Sequence, residues 1–162
     1  MRKRLLHPFR PSPGEARLLT AGALTGAIGA LTAFVAVTQF QARGDLLRVW
    51  SGSDIWCAFA GACGAIQGLY MWRRWLGQPG AVGALRAVAG LSLALLTGAV
   101  IAGTLILPVY GTMFGPVLAG VTILSHPMLT LGWICGLVLM HLTTRDWRIE
   151  RQRLMQRMEA WR

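Results

Sequence analysis

AVAGLSLALLTGAVIAGTLILPVYGTMFGPVLAGVTILSHPMLTLGWICGLVLMHLTT, residues 87–144, runs for 58 positions without one Asp, Glu, Lys or Arg. About 20 apolar residues already match the hydrocarbon thickness of a bilayer, so this stretch is long enough to cross twice. Two shorter uncharged runs precede it, 18–42 (25 residues) and 55–72 (18 residues). The pattern predicts an all-α polytopic membrane protein, a four-helix transmembrane bundle with a C-terminal basic amphipathic helix. The expected division is a basic arm at 1–12, spans at 13–40, 55–74, 87–109 and 117–142, and an amphipathic tail at 143–162.

The formal net charge of +10 resembles a nucleic-acid footprint until its placement is read. Arg2, Lys3, Arg4, Arg10 and Arg17 precede the first span, and Arg73, Arg74 and Arg86 separate the second from the third. Six more arginines, from Arg145 to Arg162, follow the fourth. Fourteen of the sixteen basic residues thus fall on one side of an even-numbered topology; only Arg43 and Arg48 fall on the other. That is the positive-inside pattern, so both termini are expected in the cytoplasm. Bases scattered over three short segments make a poor nucleic-acid surface, and no nucleic-acid partner is expected. Fifteen arginines against one lysine fit a GC-rich bacterial genome, hence a bacterial inner membrane.

Local signals set the boundaries. Ser12, Pro13 and Glu15 read as a capped helix start. Ser53 or Asp54 is expected to cap the second helix. Between these helices, Leu46, Leu47, Val49 and Trp50 suit the headgroup level. Gln78-Pro79-Gly80 makes the next turn. His126-Pro127 interrupts the last uncharged run, and the reading adopted is a kinked helix spanning 117–142. The competing reading makes 108–126 an apolar lid or re-entrant segment and starts a short fourth span at Pro127. In the tail, Trp147, Leu154, Met158 and Trp161 recur as one helical stripe with Arg151 and Arg157 beside it, a face suited to anionic headgroups or a partner.

Small residues at four-residue spacing are the clearest repeated feature: Gly22 and Gly26, Gly64 and Gly68, Gly90 and Gly98, Gly132 and Gly136. Such strips let helix backbones approach where lipid supplies no hydrophobic drive. They point to tight internal packing, and to contacts with other membrane subunits or a second copy. Gln67 and His126 are the polar groups expected to be buried among the helices.

No constellation names a chemistry. All six acids lie outside the expected hydrocarbon core, whereas relays and ion-coupled carriers show an ionisable group within it. Ser125 adjoins His126, but helical neighbours point about 100° apart and no acid orients the imidazole. His126 and His141 are about 22 Å apart along one helix, so they cannot ligate one haem within a chain. Cys57, Cys63 and Cys135 form no CxxC, and metal-site, P-loop and dinucleotide patterns are absent. No catalytic residue, metal or cofactor is expected. The function that fits is a non-catalytic accessory or assembly subunit of a larger inner-membrane complex. Alternatives are the small membrane subunit of a multicomponent transporter, a holin-like pore former and a haem-binding subunit.

Overall fold

A computed structural model describes residues 12–40 and 51–160. The expected basic arm before Ser12 lies outside the described residues, as do the interfacial segment with Leu46 and Trp50 and the end of the tail at Trp161. The described chain is all-helical: α1 (Pro13–Phe40), α2 (Gly52–Trp72), a 3-10 turn (Arg73–Trp75), α3 (Gly80–Ile106), α4 (Tyr110–Ser125) and α5 (Pro127–Glu159). α1, α2 with its 3-10 turn, α3 and α5 are each long and apolar enough to cross a membrane; α4 is shorter.

The helix starts follow from side-chain chemistry. The Ser12 amide donates to Glu15 Oε2 at 3.0 Å and the Glu15 amide to Ser12 Oγ at 3.2 Å, a reciprocal capping box. α2 uses the same device two or three residues earlier than the sequence suggests. Ser51 is its cap, and the fully buried Asp54 is the N3 partner rather than the cap. α3 begins at Gly80, seven residues before the expected start. Residues 80–86 contain good helix formers, and Arg86 reaches back to Gln78 Oε1 at 2.9 Å.

The largest departure is at His126. The kinked helix expected over 117–142 is two helices, because a residue before proline is driven from the helical region and Pro127 suits a first helical position. His126 is extended, with φ −123° and ψ 98°, and α5 starts afresh. α4 folds back along α3: a β-carbon on Gly111 would strike the Gly103 backbone, and one on Gly115 would meet the Ala99 carbonyl at 2.5 Å. It ends where the His126 ring meets Gln39, at the last turn of α1. The turn into α4 and the start of α5 therefore lie at the same end of the bundle.

The long helices alternate in direction. α2 packs between α1 and α3, while α5 runs antiparallel to α1 with the Trp133 indole donating to Thr32 Oγ1 at 2.9 Å. At the opposite end from α4, Gly77 donates its amide to His141 Nδ1 at 3.1 Å, and Arg148 reaches the Arg74 carbonyl at 3.1 Å. Gly14 sits against Trp147 and Glu150. The start of α1, the α2–α3 connection and the middle of α5 thus share one end, as do all nine described arginines. We call it the basic end. The tail is not a separate helix. α5 continues without a break to Glu159, and residues 151–160 are all exposed.

Candidate functional site

The two halves of the bundle are filled differently. In the basic half Ala21, Leu69, Leu76, Ala87, Ala94 and Met140 form a close core, with Leu18, Trp72 and Leu91 against it. The other half holds a cavity of about 740 Å³ among all five helices. Gly29, Ala33 and Ala36 of α1, Gly61 and Ala65 of α2, and Gly98, Ala99 and Ala102 of α3 line it; α4 covers it with Phe114 and Leu118. Trp133 and Leu137 of α5 close the side, and Ser53 and Tyr110 stand at the uncharged end.

Small side chains create both the close contacts and the space. A β-carbon on Gly64 would collide with the Gly98 carbonyl, and one on Gly68 with the Ala94 carbonyl, so α2 and α3 meet backbone to backbone. Gly90 abuts Trp75, Gly26 abuts Ile66, and Gly136 abuts Ile28. Gly22 and Gly132 face open space instead. The α1–α2 crossing rests on Gly29 and Gly61, and the α3–α4 crossing on Gly103 and Gly111. None of these four lies on the strips singled out from sequence. The signal for the first pair was present in Gly29-xxx-Ala33 and Gly61-xxx-Ala65, the same spacing one face round.

Polar side chains inside the bundle are mostly satisfied locally. Thr25, Thr32 and Thr38 return their hydroxyls to carbonyls of the preceding turn. The Thr122 hydroxyl and the Trp72 indole N–H are buried without a hydrogen-bond partner. His126 is half-buried; its Nδ1 lies 3.0 Å from the Thr122 carbonyl, so Nδ1 carries the proton and Nε2 accepts from Gln39 at 3.2 Å. His141 has the opposite role, its Nδ1 accepting from Gly77.

Gln67 corrects an expectation: it is exposed on the face of α2 that turns away from the bundle, beside Ile66, Tyr70 and Met71. That a helix is apolar all round hides which face a lone amide takes. His126 and His141 stand at opposite ends of the bundle. Among the described residues no group of three or more His, Cys, Asp or Glu is placed to hold a metal. Trp147 is half-buried against the start of α1 with Arg151 over its ring, at 5.4 Å from the centroid. Leu154, Met158 and Arg157 are exposed beyond it.

Comparison with known proteins finds no match to a family model, a curated protein or a solved structure.

Proposed function

We propose that this chain is a non-catalytic accessory subunit of a larger protein complex in a bacterial inner membrane, with its basic end in the cytoplasm. Gln67 carries the reading. Its amide lies five residues before Trp72, about 7.5 Å along the helix, on a surface otherwise given to Ile66, Tyr70 and Met71. An unpaired amide in hydrocarbon costs about 4–8 kcal/mol on an alkane scale, and the usual remedy is a bond from a neighbouring helix. Among the described residues none supplies that bond, so the natural donor or acceptor is a helix of another membrane subunit.

The free end of α5 supports the same reading. Residues 151–160 are all exposed among the described residues, and Leu154, Met155 and Met158 are half or more exposed. An isolated helix of this length is marginal in water. Arg151, Arg153 and Arg157 suit an acidic face on the cytoplasmic part of that same partner, with anionic headgroups at the foot of the arm.

Affinity purification in mild detergent tests the reading. The wild-type chain should carry a larger membrane protein in fixed ratio. Gln67→Leu should weaken its retention about tenfold, the loss of one interhelical bond of about 1–2 kcal/mol, with melting unchanged. Recovery of the wild-type chain only as a free monomer, after crosslinking in the intact membrane, would refute it.

A further inference from the structure

We propose that the cavity beneath α4 is a lipid site that takes one acyl chain of a bilayer phospholipid, entering at the uncharged end between Ser53 and Tyr110. The inference shares with the proposed function only the premise that the long helices cross a bilayer.

The shape of the cavity selects the occupant. Its lining runs along α2 from Ser53 to Leu69, sixteen residues or about 24 Å of rise. One leaflet's hydrocarbon is about 15 Å thick, half of the bilayer core, so a whole chain fits lengthwise. The cavity's volume is about 740 Å³. The volume itself is within the about 300–1,000 Å³ of small-molecule sites.

The chemistry of the walls agrees. Thr32 is the polar side chain deepest in the lining, and it is saturated, donating to the Ile28 carbonyl at 2.8 Å and accepting from Trp133. Water needs two to four polar partners to reside in such a space and finds none at that depth. At the uncharged end of the lining, by contrast, the exposed Ser53 and Tyr110 hydroxyls stand at the level of a glycerol ester.

Native mass spectrometry of the full chain, exchanged through detergent, should find one retained phospholipid per chain. Ala36→Leu and Ala119→Leu place bulk in the lining and should each lower retention at least tenfold. Gly22→Leu, where a β-carbon meets nothing, should leave it unchanged. A phosphatidylethanolamine with a diazirine in its acyl tail should label Ala36, Phe114 or Leu118 in the unmodified chain. That map decides the matter even if the leucine variants fail to fold. Absence of stoichiometric lipid, undiminished retention in both folded leucine variants, or label confined to the bundle's perimeter would each overturn the proposal. Alkaline carbonate separates the premises: a chain stripped from the membrane loses both readings, while one that stays but holds no lipid loses this one alone. Failure of Gln67→Leu to release a partner leaves this proposal standing.

Discussion

Gly61 and Gly22 look alike in the sequence, each a glycine in an Ala- and Gly-rich apolar helix, yet their surroundings are opposite. A β-carbon on Gly61 would run into the Gly29 carbonyl and stand 2.6 Å from the Ala33 methyl, whereas one on Gly22 meets nothing within 4 Å. Gly61→Leu should therefore wedge α1 from α2 and cost about 1–3 kcal/mol or more, as overpacking does. Gly22→Leu should stay within about 0.5 kcal/mol of wild type, as surface changes do. Thermal unfolding in detergent ranks the two, and the reverse order would contradict the helix crossing described here. The sequence could not make this distinction. Four-residue spacing reports that a helix has a smooth strip, but a soluble helix reveals its buried face through a polar opposite face. These helices are apolar on every side, so the period survives and the phase is lost. Gln67 was misplaced for the same reason.

Elements whose boundaries rest on side-chain chemistry were legible. The Ser12–Glu15 box starts α1 at the expected residue, and the Gln78–Gly80 turn lies where glycine and proline ask for it. α4 was less so, because its two ends depend on backbone geometry that no periodicity reports. At its start Val109 has φ 71° and ψ −63°, and the Tyr110 amide donates to the Pro108 carbonyl at 3.0 Å. That is a γ-turn of the rare, strained hand, and a β-branched residue is among the least suited to it. Strain of this kind costs about 1–3 kcal/mol, from which glycine's extra chain entropy removes about 0.5–1 kcal/mol. Val109→Gly should thus gain about 1 kcal/mol and raise the melting temperature by about 2–4 °C. A lower melting temperature would mean that the valine side chain holds α4 against α3 more strongly than the turn resists it.

For the molecule as a whole, the distribution of charge and the length of α5 lead to one statement about sidedness. All nine described arginines occupy the end that holds the start of α1, the α2–α3 connection and the middle of α5. α4 begins after α3 and is followed by His126 at the uncharged end, and the even number of long helices brings both described ends together. Thirty-three residues make α5 about 50 Å long, against about 30 Å of hydrocarbon. Sharp kinks need proline, glycine or an inserted group, and residues 143–159 contain neither proline nor glycine. Residues 151–159, about 12 Å of helix beyond the contacts of Trp147 and Glu150 with the start of α1, therefore stand off the basic end instead of turning onto the surface. With Cys57, Cys63 and Cys135 replaced by alanine, single cysteines report the sides. A membrane-impermeant maleimide added to intact cells should label Ser53→Cys and Pro108→Cys but neither Ser12→Cys nor Gln156→Cys, and should reach all four once the membrane is opened. Translocating the arginine-rich arm would oppose the bias that orients such chains. Labelling of Gln156→Cys from outside, with Ser12→Cys still protected, would mean that α5 does not return across the bilayer, and the four-span arrangement would have to be abandoned.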